Sequence, residues 1–176
     1  MYEGTLRLIA DLPARRPDPA LPAALDALFR RLAATGTEAA AVRTEDCIWD
    51  LWMTHPNREA EREIALAAGE IAARSYDVAE TRLARLLRRR PDFAEAWHKR
   101  ATLLYLQGRD DECVDCLHRA LEREPRHFGA LLTFAEILLG SGERDASTFS
   151  FRAALRIHPT HARAREFAGP ERPAAR

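Results

Sequence analysis

Residues 94–127 read AEAWHKRATLLYLQGRDDECVDCLHRALEREPRH, and this stretch decides the fold. Two helix-length segments meet at Gly108, and the second closes on Pro125. The same marks return 34 residues away on either side. Pro91 and Pro159 match Pro125, Leu83 and Phe151 match Leu117, and Asp77 and Asp145 match Asp111. A fixed period of this size signals a stacked array of helical hairpins, each unable to bury its apolar face alone. The expected fold is all-α, an α-solenoid.

Outward from this unit, helices are expected near 58–73 and 76–89, 93–107 and 110–124, and 128–139 and 145–157. Gly108 and Gly142 mark the inner turns, because glycine takes the left-handed backbone that ends many helices. Arg74 stands at that place in the first unit. Upstream, Leu21, Leu25, Leu28, Phe29 and Leu32 recur three or four apart and predict a helix ending near Thr35–Gly36. A second helix is expected over 38–53, with Val42, Ile48, Trp49 and Trp52 as its apolar stripe. The domain reading is a proline-containing leader (1–20), an N-terminal hairpin (21–57) that caps the stack or is a degenerate repeat, and three repeats (about 60–93, 94–127 and 128–161). A short capping helix and frayed tail (162–176) follow. Pro13, Pro17, Pro19 and Pro22 keep the leader from being helical throughout.

The period and its residues resemble the tetratricopeptide repeat family, whose signature is a Trp, a small residue, an aromatic, then small, large and small residues before Pro. The second unit carries Trp97, Ala101, Leu104, Cys113, Leu117, Ala120 and Pro125 at those places. The third reads Leu131, Ala135, Leu138, Ser147, Phe151, Ala154 and Pro159. The first keeps Leu66, Ala67, Ala79, Leu83, Leu86 and Pro91, with Glu63 and Glu70 at the aromatic positions. The wider pattern is similar to small bacterial repeat proteins of unassigned function. The resemblance implies a concave surface lined by the first helix of each hairpin, used for protein or peptide partners.

Composition narrows the classes of work. Lys plus Arg equals Asp plus Glu at 27 each, whereas a nucleic-acid binder normally carries a basic excess. No stretch approaches the ~20 apolar residues of a membrane span, and the apolar island at 6–10 is too short for a secretory leader. Three cysteines without framework spacing favour a reducing, cytoplasmic setting. No nucleophile has a matching base and no phosphate loop occurs, so neither enzyme nor cofactor is expected. Cys113 and Cys116 fall inside a helix, and no further ligands accompany them, so no metal is assigned.

On the second unit's inner face, Glu95, His98, Thr102 and Tyr105 are spaced three, four and three apart, with Lys99 at the margin. Leu132, Thr133 and Glu136 continue that face on the third unit, beside Gly129 and Leu139. These are the candidate groove residues for a peptide segment or helix. Lys99 is the single cation at the places that a carboxylate clamp would use, so that ligand is not expected. The competing expectation is a structural, self-associating module, a homodimer for instance.

Overall fold

The first helices of three consecutive hairpins lie side by side, with the second helices behind them. The computed structural model describes residues 2–169, so the end of the expected frayed tail, 170–176, lies outside the described residues. The helices are α1 (Tyr2–Asp11), α2 (Ala24–Ala34), α3 (Glu38–Trp52), α4 (Arg58–Ala72) and α5 (Tyr76–Arg89). They continue as α6 (Ala94–Leu106), α7 (Asp110–Arg123), α8 (Phe128–Gly140), α9 (Arg144–Ile157) and α10 (Ala162–Phe167). The pairs α4/α5, α6/α7 and α8/α9 are the three repeats. No strand occurs among the described residues.

Small residues let the helix pairs close. Ala67, Ala101 and Ala135 on the first helices, and Ala79, Ala120 and Ala154 on the second, have no exposed surface. Where Ala79 stands in the first repeat, the third places Ser147, whose hydroxyl donates to the Ala135 carbonyl at 2.8 Å. Leu83, Leu117 and Phe151 fill the matching large positions and are fully buried. Ala120→Leu or Ala154→Leu is expected to cost about 1–3 kcal/mol by overpacking, read as a lowered thermal midpoint. Trp97 is only half-buried: its indole donates to the Pro91 carbonyl, and Arg119 and Arg123 lie over its ring. The inner turns sit at Arg74, Gly108 and Gly142, all with positive φ; at Arg74 (φ 58°) a side chain accepts a backbone that favours glycine.

The departures in the first repeat have a physical reason. Glu63 and Glu70 converge on Arg82, at 3.0 and 2.7 Å, and Glu63 also meets Arg85 at 2.6 Å. A terminal repeat needs a polar outer face, and these ion pairs supply it. At the other end α10 covers the last repeat, with Phe167 stacked on Phe151.

Two N-terminal features differ from the sequence expectation. The segment expected as a leader holds α1, which packs on α7 and α9 through Leu8 and Ile9, with Leu12 of the turn that follows in the same core. Thr5 meets His118 at 3.1 Å, and Tyr2 lies against Phe134. The α2/α3 hairpin does not stack in front of the first repeat as a cap or further unit. Its tryptophans turn instead onto α6 and α8 of the later repeats. Within α3, Val42 is exposed, and Ala41, Thr44, Ile48 and Trp52 form the buried stripe.

Candidate functional site: an inner face partly filled by the chain itself

The inner face is built by α6 and α8, and α3 lies across its N-terminal end. Trp49 stacks on His98 with ring centroids 5.5 Å apart and meets His127 and Phe128 edge-on. Lys99 sits 5.6 Å from the Trp49 ring, a cation–π distance. The indole reaches this place because residue 129 is glycine: a Cβ there would fall 2.5 Å from Trp49 Cη2. Trp52 lies parallel to His127, 4.1 Å between centroids, and is buried among Leu25, Phe29 and Phe128.

Polar contacts fix the register of this hairpin. Glu45 accepts from the Trp49 indole at 3.1 Å and from His158 Nε2 at 3.0 Å. The His158 hydrogen bond holds the Glu45 carboxyl below the usual carboxylate range against the opposing effect of burial. Asp26 on α2 pairs with Arg126 at 2.6 Å, and Arg126 is itself held by the fully buried Glu124.

Beneath Trp49 lies a buried cluster. His127 Nδ1 accepts from the Ala130 amide at 3.1 Å, so the proton of the neutral ring sits on Nε2. That Nε2 donates to Glu95 Oε2 at 2.8 Å, and Lys99 Nζ lies 3.0 Å from Glu95 Oε1. Burial opposes ionisation of Glu95, but the adjoining His98 and the His127 N–H outweigh it and hold the carboxyl well below the usual range. Burial, with His127 next in weight, pushes His98 down to about 4.

Glu95, His98 and His127 bring their ligand atoms within 4.8 Å of one another. A cation there would have to displace the Nε2 proton, leaving a protonated Nδ1 facing the Ala130 N–H. The Lys99 ammonium adds repulsion. The cluster is therefore arranged to hold a proton and a carboxylate, not a metal ion.

These shifts give the site an acid-side weakness. His98 is neutral in the folded protein down to about pH 4, whereas unfolded it takes a proton near pH 6.5. The unfolded state thus binds more protons as pH falls through this window, and stability falls with it. Glu95 and Glu45, both depressed, add to the loss below their unfolded values near 4.5. Urea midpoints measured from pH 7.5 to 4.5 are expected to fall continuously below about pH 6.5.

The sequence-predicted groove residues divide into two groups. Glu95 and His98 are buried beneath α3 and do not face solvent, which corrects their expected place on an open surface. Lys99 is half-buried against both. Leu132 is half-buried between the α2/α3 core and the repeat core. Thr102 and Thr133 donate back to the carbonyls of His98 and Gly129 on their own helices. Tyr105 is 39% exposed, and Glu136 accepts from Arg163 Nε at 3.1 Å. Sequence reasoning missed Glu45, Trp49 and Gly129 as parts of one assembly. The available signal was two tryptophans three residues apart on a helix outside the repeat pattern.

Burial pushes the Cys113 thiol up to about 12 and the Cys116 thiol up to about 11, which disfavours their thiolates. No helix of the described residues is long and apolar enough to cross a membrane.

Comparison with known proteins agrees with this architecture. The tetratricopeptide repeat profile matches residues 94–127. Over 77 residues the chain is 38% identical to a TPR repeat-containing protein of Rhizobium etli, covering 44% of this chain and 38% of that relative. The match thus spans less than half of either protein. Residues 94–127 are thus similar to a tetratricopeptide repeat, and repeats of this kind generally mediate protein–protein interaction.

Proposed function

We propose that this chain is a non-catalytic, cytoplasmic interaction module that receives a peptide segment or helix on the part of its concave face left open by α3. The carrying observation is Tyr105, an aromatic 39% exposed at the open end of α6, with Leu106 beside it 51% exposed. Thr102 and Glu136 stand as the polar residues of this end, while Lys99, Leu132 and Thr133 lie toward the α3 edge. Aromatic anchors beside a few polar handles suit a peptide or a helix.

Self-association is the less favoured reading, because the Glu63–Arg82–Glu70 ion pairs close one end of the stack and α10 closes the other. Tyr105→Ala combined with Glu136→Ala is expected to lower recovery of bound protein at least tenfold in quantitative capture on the immobilised chain. Equal recovery by the parent and the double variant would refute this use of the face.

A further inference from the structure

The seat of Trp49 is built for an indole and is occupied by the chain's own helix. Gly129 supplies the hole, His98 and His127 supply faces and an edge, and Lys99 supplies a cation over the ring. Glu45, four residues before Trp49, orients the indole and reaches His158 on the repeat side.

The seam is also under-satisfied. Trp52 Nε1 and His158 Nδ1 are buried there without a hydrogen-bond partner, whereas His98 Nδ1 faces Glu95 Oε2 at 3.5 Å. Each such group costs free energy that undocking into water would recover. The α2/α3 hairpin meanwhile has its own small core of Leu25, Phe29, Leu32, Ile48 and Trp52, which meets the repeats at Phe128, Leu132 and Ile157. A helix with a separate core, on a seam that leaves polar atoms unpaired, is a replaceable occupant.

We infer that the Trp49 seat is a recognition site for a partner helix of the pattern Glu-x-x-x-Trp-x-x-Trp, for which α3 is the resident intramolecular competitor. This rests on reading the chain as an interaction module but uses the opposite end of the concave face from Tyr105. A free helix of that pattern would place its carboxylate at His158 and its first indole over Gly129, with the second on His127. The requirement for an acid four residues before the first aromatic follows from the two contacts Glu45 makes.

The test uses the full chain and a fluorescein-labelled peptide of residues 37–55, read by anisotropy. The parent, whose own α3 competes, is expected to bind weakly. Trp49→Ala, which vacates the seat, is expected to bind at least tenfold more tightly. Adding Gly129→Ala should abolish that gain while favouring α8 as a helix. Circular dichroism establishes that each variant is folded; should Trp49→Ala not fold, Glu45→Gln serves in its place, with the same direction expected.

No gain in a folded vacated variant, or a gain that survives Gly129→Ala, overturns the inference. Tyr105→Ala/Glu136→Ala should leave peptide affinity unchanged, so failure here is distinguishable from failure of the open-face reading.

Discussion

Trp52→Ala is expected to remove about 3–5 kcal/mol, the usual cost of deleting a large buried aromatic. Trp52 is 1% exposed, lies flat on His127, and touches Phe29, Trp49 and Phe128. It is the largest side chain in the α2/α3 core and the one that joins that core to the repeats. Its loss should therefore separate the transition: the hairpin releases first, and the repeats, with their own core, unfold later. Trp52→Phe is the informative companion. It removes an indole N–H that is buried without a partner, so the lost area is offset by the removal of an unsatisfied donor. A cost under about 1.5 kcal/mol is expected for Trp52→Phe. Urea melts followed at two wavelengths, one sensitive to helix content and one to tryptophan, read both effects.

Lys99→Met is the second large effect. Glu95 has a fully buried carboxylate, and Lys99 is the only ammonium within ion-pair distance of it among the described residues. Removing the cation leaves a buried charge facing only two imidazoles, the His127 N–H at 2.8 Å and His98 Nδ1 at 3.5 Å, which costs on the order of 3–5 kcal/mol. Adding Glu95→Gln to the same chain removes the uncompensated charge, and the new amide oxygen can still accept from His127. Recovery of most of the loss is expected in the double variant, giving a coupling energy above about 1 kcal/mol by double-mutant cycle. Additive single effects would mean that the pair is not electrostatically linked.

The repeats were legible because their constraint is local and periodic. Alanine at 101, 120, 135 and 154 and large residues at 117, 131 and 151 need only the 34-residue step to declare which faces meet, and all seven are buried as that step requires. Glu63 and Glu70 read as departures from the pattern, and their reason lay across the hairpin at Arg82, which a repeat count does not reveal.

The N-terminal segment was read less completely. The buried Thr5, Leu8 and Ile9 of α1, with Leu12 just beyond it, recur three or four apart, but the prolines just downstream mask that pattern. For α3 the amphipathic stripe was visible and its destination was not. A helix states which face it buries, but not against which distant surface. Gly129 was placed on the inner face as a small residue among others, and only the seated indole shows what the missing Cβ allows. Glu95 and His98 had the spacing of an exposed face; a helix more than 40 positions earlier in the chain covers them.

Seating of α3 on the inner face is the claim from which both the open-end site and the Trp49 seat are derived. A nuclear Overhauser spectrum of the full chain, selectively labelled in tryptophan and glycine, tests it most directly. Cross-peaks between the outer ring protons of Trp49 and the Gly129 α-protons are predicted. Their absence, with Trp49 instead close to Leu66 or Val78 on the outer face of the first repeat, would contradict the account.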